Sequence, residues 1–443
     1  MERARRSLFL PSSWSLAFVA MLREDTIDRL LAEVEQAREE LVAFVTELIR
    51  IPTVNPPGEA YEECARVIGG RLSDWGMEVE YLEPADRPEN TEAYPRVNVI
   101  GRRAGEEARP LLHLNGHFDV VPPGGGWTLD PFEGIVRNGR LYGRGASDMK
   151  SGLGAAAFAI ECLRRTGIDL RGTIELSATV DEESGGMAGV ASLCATGHIS
   201  STRTDYVIIP EPFGPDRICM GHKGVYWFDI VAQGRVAHGS MPHLGRSAID
   251  DMAALVDAVR TQLKPRLSLR ESRVPVVPPE SATASINVNA ISGGQPDGLV
   301  QTPCVADLSA ATFDRRFLAE ETLDDVRAEV VELVRTLEAE DPGRRYRIKD
   351  RLIVEPVSAP DDSPVIRALA NAIQRVQGRS AELVVSPGTY DQKHVARIAG
   401  LEHCVAYGPG PLEEAHQADE SCAIDDLVTA AQTLAVAAFE LVG

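Results

Sequence analysis

Cysteine is sparse in this chain, and its spacing argues against two kinds of site. The seven cysteines are odd in number and far apart, and no two of them form a C-x-x-C pair. A disulfide framework and a thiolate zinc knuckle are therefore disfavoured. A reducing cytoplasm fits this pattern best.

Long apolar runs and an excess of positive charge are also missing. No stretch is long and apolar enough to span a bilayer, and the formal net charge is -21. An acidic surface repels phosphate backbones and anionic lipid, which disfavours nucleic-acid and membrane partners. Neither an internal repeat nor a low-complexity tract occurs, and the 44% apolar content is ordinary for a globular protein.

The first twenty residues differ in character from the rest. Arg5 and Arg6 precede a weakly apolar stretch that resembles a twin-arginine export signal. Pro11 and several serines interrupt that stretch, and the cleavage-site signal is poor. We expect residues 1–20 to be a disordered upstream extension; export is the alternative.

A length of 443 residues predicts about two domains. Strand-like runs at 96–102, 110–114, 173–180 and 206–210 alternate with helical patterns at 24–50 and 153–165. This alternation predicts an α/β domain whose mostly parallel central sheet is flanked by helices. Near Gly221 the pattern changes to a β-α-β-β-α order, typical of a compact α+β, ferredoxin-like insert. We assign residues 21–220 and 337–443 to the α/β domain and 221–336 to the insert.

Acidic and histidine side chains recur where apolar, strand-like runs end. They are His117 and Asp119 in LHLNGHFDVVP, Asp148 in GRGASDMKSG, Glu182 and Glu183 in LSATVDEESGG, and Glu211 in YVIIPEP. A seventh side chain, His416, lies in the late stretch AYGPGPLEEAHQADE. Ligands of open α/β sheets bind beyond the carboxyl ends of the strands. If these side chains meet, they supply a nitrogen-and-oxygen set for each of two metals, with Asp148 shared. Such sets suit Zn²⁺, with Co²⁺ or Mn²⁺ as substitutes.

The paired acids at 182 and 183 are the most informative element. They follow a buried strand, where two acids are costly unless their charges are used. We assign Glu183 as a metal ligand and Glu182 as the general base that faces a bridging water. The alternative is two solvated acids on a loop. His117 and Asp119 lie on the same side of an extended segment, so Asp119 can orient the imidazole; a structural histidine is the alternative.

Together these motifs resemble the M20 metallopeptidases and amidohydrolases, which include acetylornithine deacetylase, succinyl-diaminopimelate desuccinylase, aminoacylase-1 and glutamate carboxypeptidase. The resemblance runs from about residue 25 to the C-terminus. It implies two zinc ions, a bridging water and a catalytic domain interrupted by a smaller lid domain, through which such proteins often form homodimers. The α/β domain is then the dizinc catalytic domain and the insert is the lid.

The resemblance also points to residues outside the metal set. GRVAHGSMPHLGRSAI looks like the lid segment whose histidine, here His238, stabilises the oxyanion; His243 competes for this role. Arg316 in the Asp-Arg-Arg element is a candidate clamp for a substrate carboxylate, with a surface ion pair as the alternative. The backbone around Gly388 and Thr389 is a candidate substrate contact.

Two departures from the family pattern make the substrate harder to predict. The chain reads GGQPDGLVQTP where relatives often carry Asn-Val-x-Pro, and Tyr390 is inserted in SPGTYDQKH. From the metal set and the lid segment together, we expect a hydrolase of a small N-acyl amino acid or a related amide. A dipeptidase, a carboxypeptidase or a hydrolase of an aromatic amine or amide is the alternative. A non-catalytic relative is disfavoured because Glu182 is present.

Overall fold

The computed structural model describes residues 16–294 and 303–443. The helices are α1 (Leu16–Gln36), α2 (Arg38–Arg50), α3 (Tyr61–Asp74), α4 (Lys150–Arg165), α5 (Val190–Ala195), α6 (Ala248–Ala258), α7 (Lys264–Leu267), α8 (Leu323–Glu340), α9 (Pro364–Gln377), α10 (Gln392–Arg397) and α11 (Ile424–Val442). The strands are β1 (Glu78–Leu82), β2 (Asn98–Arg103), β3 (Leu111–His117), β4 (Ile135–Arg137), β5 (Arg140–Tyr142), β6 (Thr173–Thr179), β7 (Tyr206–Ile209), β8 (Arg217–His222), β9 (Gly224–Gln233), β10 (Ser285–Gly293), β11 (Leu308–Phe317), β12 (Tyr346–Val354), β13 (Val357–Ser358), β14 (Glu382–Ser386), β15 (Cys404–Ala406) and β16 (Ser421–Ala423).

The larger sheet has the order β1-β2-β6-β3-β7-β15-β8-β13, and β14 pairs with β8. Its centre is parallel: β6, β3, β7 and β15 all run in one direction. The outer pairs β1–β2, β2–β6 and β8–β13 are antiparallel. The predicted α/β architecture is confirmed, and the parallel centre brings the carboxyl ends of β3, β6 and β7 to one edge.

Helix α4 packs closely on this sheet because its buried face is built from small residues. Nearly all of its side chains are buried. A Cβ added at Gly152 would collide with the carbonyl of Pro210, and one at Gly154 would collide with Val45. Gly152 therefore permits a close approach of α4 to the end of β7, and Gly154 permits one to α2.

The smaller sheet has the order β10-β11-β9-β12 and is antiparallel throughout. With α6 and α8, the chain order is β-α-β-β-α-β, which agrees with the predicted ferredoxin-like insert. The predicted boundary at residue 336 falls inside α8, and β12 lies beyond it. Because β12 pairs with β9 over Tyr346–Val354, this sheet continues past the predicted boundary.

Two local expectations need correction. The helix predicted at 24–50 is divided at Ala37 into α1 and α2. Helix α1 also begins at Leu16, inside the extension predicted at 1–20, whose first fifteen residues lie outside the described part of the chain. Within the described ranges, no helix combines the length and apolar character needed to cross a membrane.

Candidate metal centre

The cluster of acids and histidines lies where three adjacent parallel strands end. His117 is the last residue of β3, Glu182 and Glu183 form a short 3₁₀ turn just after β6, and Glu211 follows β7. Asp148 directly precedes Met149, the N-cap residue of α4. This is the edge at which open α/β sheets bind ligands.

Asp148 lies at the centre of the cluster. Its Oδ1 is 3.1 Å from His117 Nε2, and its Oδ2 is 3.4 Å from His416 Nε2. Glu183 Oε1 lies 3.0 Å from the same His416 nitrogen, and Glu211 Oε1 lies 4.0 Å from His117 Nε2. Each oxygen of Asp148 therefore faces a different histidine.

These side chains form two ligand groups with one shared member. His117, Asp148 and Glu211 form one group, and Asp148, Glu183 and His416 form the other; within each, the ligand atoms lie within 4.8 Å of one another. One imidazole and two carboxylates is a donor set that zinc and related divalent metals accept. The residues fit a pair of cations bridged by Asp148.

The charges in the cluster are unbalanced without cations. Burial and the neighbouring Asp148 charge raise the pKa of Glu183 from 4.5 to about 8, and the same two causes raise the pKa of Glu211 well above its usual value. Hydrogen bonds to Asp148 and Glu183 raise the pKa of His416 to about 10. Burial opposes protonation of His117, yet Asp119 and Asp148 together hold its pKa well above the usual range. The protein thus concentrates negative charge that bound metal would neutralise.

Asp119 organises the turn that carries the paired acids. Its Oδ1 accepts the backbone N–H of Glu182 at 3.1 Å, and its Oδ2 accepts that of Glu183 at 3.2 Å. Asn55 donates to the same Oδ2 at 2.9 Å. His117 Nδ1 lies closer to the backbone oxygen of Asp119, at 3.0 Å, than to its carboxylate, at 3.4 Å. The carboxylate predicted to orient the imidazole therefore holds the turn at 182–183.

A second buried carboxylate, Glu420, organises the loop that carries Asp148. Its Oε1 accepts the backbone N–H groups of Gly145, Ser147 and Asp148 at 3.1, 2.8 and 3.0 Å. Its Oε2 pairs with Arg144, and both side chains are almost fully buried. Arg144 also donates to the backbone oxygen of His416 at 3.2 Å. One ion pair therefore links the segments that carry Asp148 and His416.

Glu182 stands beside the metal cluster without belonging to either ligand group. Its Oε1 lies 3.5 Å from Lys393 Nζ. The loop with Gly388 and Thr389 leads into the same region: Gly388 N donates to Ser386 Oγ at 3.2 Å, and both residues are partly exposed. The inserted Tyr390 is buried, with its ring against His222 and Phe213.

The two lid residues are not joined to the cluster by any contact among the described residues. His238 is exposed; its Nδ1 lies 2.8 Å from Ser240 Oγ, and its backbone bridges to Cys304. Arg316 donates to both oxygens of Asp314, at 2.8 and 3.1 Å, as in the alternative considered for it. The GGQPDGLVQTP departure lies mostly outside the described residues.

Asn55, Glu420 and Lys393 received no role from the sequence. Asn55 is followed by Pro56 and Pro57 in the loop after α2, a sequence typical of a turn. Glu420 follows His416 in an acid-rich stretch that reads as solvated. Their burial, at 3% exposure for Asn55 and 1% for Glu420, is the signal that separates them from ordinary loop residues.

Comparison with known families and proteins gives a consistent result. A family model described as peptidase family M20/M25/M40 matches residues 113–440. The N-formyl-4-amino-5-aminomethyl-2-methylpyrimidine deformylase of Bacillus subtilis (strain 168) is 29% identical over 432 residues, covering 91% of this chain and 95% of the relative. Succinyl-diaminopimelate desuccinylase of Methylorubrum extorquens (strain PA1) is 30% identical over 403 residues, covering 87% and 94%.

Solved structures share the fold at low identity. Human carnosine dipeptidase 1 superposes with a TM-score of 0.71 at 18% identity, over 94% of this chain and 98% of that one. A dinuclear metal binding peptidase of the M20 family from Bacillus subtilis gives a TM-score of 0.65 at 16% identity, over 92% and 99%. At these identities the likeness concerns the fold alone.

Proposed function

Because the chain belongs to peptidase family M20/M25/M40, a family of metal-dependent hydrolases, we propose that it hydrolyses the amide bond of a small N-acyl amino acid or a related compound. The observation that carries this proposal is the pair of ligand groups that share Asp148. We assign His117 and Glu211 to one metal, Glu183 and His416 to the other, and Asp148 to both.

The metals proposed are two Zn²⁺ ions, with Co²⁺ or Mn²⁺ as functional substitutes. Two bound divalent cations would polarise the substrate carbonyl and lower the pKa of water at the site. Mixed imidazole and carboxylate donors, without thiolates, support this choice. Chelation should abolish turnover, and Zn²⁺ or Co²⁺ should restore it; full turnover in excess chelator with no bound metal would refute the proposal.

Glu182 is the proposed general base. Its carboxylate stands beside the metal groups but outside them, so it can accept a proton from water and deliver that proton to the leaving amine. Asp119 fixes the turn that presents it. Glu182→Gln keeps the shape and loses the basicity; it should retain the metal and lose turnover by a factor of about 10²–10⁴. Unchanged turnover would remove this role from Glu182.

The names of the relatives suggest which acyl groups to test as the one removed from the substrate. One relative is named for removing a formyl group and the other for removing a succinyl group. A panel of N-formyl, N-acetyl and N-succinyl amides of amino acids and of aromatic methylamines therefore covers the main proposal. Dipeptides and C-terminal peptide substrates in the same panel test the alternative, a dipeptidase or carboxypeptidase.

His238, Arg316, Gly388 and Thr389 keep their proposed roles in binding the substrate and its oxyanion. The carboxylate clamp requires Arg316 to leave Asp314, with which it now pairs. His238→Ala should lower kcat if the lid delivers this histidine to an active site, and Arg316→Gln should raise KM for acidic substrates. Normal kinetics in either variant would remove that residue from the site.

A homodimer formed through the lid is also proposed. Strand β10 is an edge of the lid sheet, and its Ile291 is 60% exposed. Ile249 on α6 is 46% exposed and lies close to Gly293 at the end of the same strand. An exposed edge strand beside apolar side chains favours pairing with a second chain. Light scattering should show that Ile291→Lys is monomeric. The control Leu269→Lys, at an 85% exposed position elsewhere in the lid, should remain dimeric. A monomeric wild-type protein would refute the dimer.

We also propose the cytoplasm as the compartment. All seven cysteines are free, and six of them are buried, which suits a reducing environment. Fractionation of cells producing the full chain tests this, because export through the twin-arginine route would place the protein outside the cytoplasm.

A further inference from the structure

The segment that begins α10 packs against the loop that carries Glu182. Lys393 Nζ lies 3.5 Å from Glu182 Oε1, and His394 Nε2 lies 2.7 Å from the backbone oxygen of Gly185. A Cβ added at Gly186 would lie 2.5 Å from Asp391 Oδ1. Three side chains within four residues therefore contact the same loop.

Buried hydrogen bonds fix this segment to the sheet. The side chain of Gln392 donates to the backbone oxygens of Met220 in β8, at 2.9 Å, and Cys404 in β15, at 2.6 Å. Gln392 is fully buried and Asp391 nearly so. Lys393 follows both of them directly, so its backbone has little freedom to move relative to the strands.

A chain of hydrogen bonds between buried polar side chains leads from the sheet to Asp391. His113 and Asn115 of β3 stand on one face of the sheet, and Ser177 of β6 is paired in register with Asn115. His113 Nε2 lies 2.8 Å from Ser177 Oγ, which donates to Asn115 Oδ1 at 2.7 Å. Asn115 Nδ2 then donates to Asp391 Oδ2 at 3.1 Å. Every member is buried. These hydrogen bonds hold Asp391 Oδ2 in one orientation, whereas Asp391 Oδ1 has no hydrogen-bond partner among the described residues.

We propose that Lys393 is a positioning residue for Glu182: its ammonium holds one carboxylate oxygen and leaves the other free to face the reacting water. This inference rests on the proposed role of Glu182 as the general base. The side chain of Lys393 is 9% exposed and that of Glu182 is 13% exposed, so solvent screens their attraction less than on an open surface. A lysine at this position contacts the base itself and no member of the metal ligand groups within the described residues.

The competing role for Lys393 is to bind a carboxylate of the substrate. The two roles differ in kinetics. A residue that positions the base acts on the chemical step and alters kcat, whereas a substrate anchor acts on binding and alters KM. A misplacement of about 1 Å in a reacting group costs on the order of 10²-fold in rate.

The kinetic experiment compares Lys393→Met, Lys393→Arg and the control Lys264→Met as zinc-loaded full-length proteins. Lys264 is exposed on α7. With the best substrate of the acyl panel, we expect Lys393→Met to lower kcat about 10–100-fold with KM within about twofold and normal zinc content. Lys393→Arg should recover most of the loss, and Lys264→Met should behave as wild type. A rise in KM with unchanged kcat would overturn the inference in favour of the substrate anchor.

A second measurement needs no substrate. In a double-mutant cycle on the thermal unfolding of the zinc-loaded protein, Lys393→Met and Glu182→Gln should be non-additive, by at least about 2 °C, because the two groups are in contact. Additive shifts would overturn the inference. If Glu182→Gln keeps full turnover, the proposed base fails; if it is inactive while Lys393→Met keeps a normal kcat, only the inference about Lys393 fails.

Discussion

Replacing Glu420 with glutamine should weaken the metal centre without touching a metal ligand. The carboxylate accepts three backbone N–H groups of the Asp148 loop and pairs with Arg144 in a region closed to solvent. Glutamine keeps the shape and one carbonyl oxygen. It removes the charge and turns an amide NH₂ group toward the guanidinium, so Arg144 loses its buried counter-ion.

The magnitude follows from the burial of the pair. Breaking a buried ion pair from one side costs about 3–5 kcal/mol, because the remaining charge is left unpaired. Arg144 keeps carbonyl acceptors at Pro123, His416 and Gln417, at 3.2, 3.2 and 3.3 Å, so we expect the lower end, about 3 kcal/mol. With an unfolding entropy of about 2.1 cal/mol/K per residue over a catalytic domain of roughly 300 residues, each kcal/mol shifts the unfolding midpoint by about 1.5 °C, so the midpoint should fall by about 5 °C.

Metal affinity should fall as well, since residues that orient metal ligands typically contribute 10–100-fold to binding. The assay is thermal unfolding together with Zn²⁺ competition against a chelating dye. The matched control is Glu413→Gln, at an exposed position in the same segment. A Glu420→Gln variant with the unfolding midpoint and zinc affinity of the control would refute the reasoning.

Two further predictions use the same site. Asp119→Asn should lower kcat about 10–100-fold while zinc content stays near two per chain, because the turn carrying Glu182 and Glu183 loses its charged acceptor. Wild-type kcat would contradict this, and Asp130→Asn, at an exposed position that has no hydrogen bond to this turn within the described ranges, is the control. The pKa of Glu183 rises from 4.5 to about 8 on folding, and that of His416 rises from 6.5 to about 10. The folded metal-free protein therefore binds more protons than the unfolded chain. Its stability consequently falls as pH rises through this range. The thermal unfolding midpoint of the chelated protein should therefore decrease between about pH 5 and pH 10 relative to that of the zinc-loaded protein. A difference between the two midpoints that stays constant with pH would contradict this effect of the charge cluster.

Three members of the metal cluster could be predicted because each lies at the end of an apolar run. His117 is the last residue of β3, Glu183 and Glu211 follow β6 and β7, and the direction of parallel strands brings those ends to one edge. The order of elements likewise predicts the α/β domain and the ferredoxin-like insert. Apolar runs and the order of elements can both be recognised in short stretches of sequence.

Contacts between distant segments could not be predicted in the same way. Glu420 accepts a hydrogen bond from the backbone of Asp148, 272 residues away in sequence, and Asn115 donates one to Asp391, 276 residues away. No local sequence pattern identifies either partner. Strand β12 escaped prediction because an edge strand with alternating charges, YRIKDRLIV, reads as a surface segment. His113 looks like an isolated histidine in an apolar run, and only the register of β3 with β6 gives it hydrogen-bond partners.

The measurement that tests the central claim most directly is anomalous scattering at the zinc absorption edge from crystals of the zinc-loaded protein. We expect two peaks per chain, one on each side of the Asp148 carboxylate, with His117 and Glu211 at one and Glu183 and His416 at the other. A single peak, or peaks away from Asp148, would contradict the shared dinuclear centre.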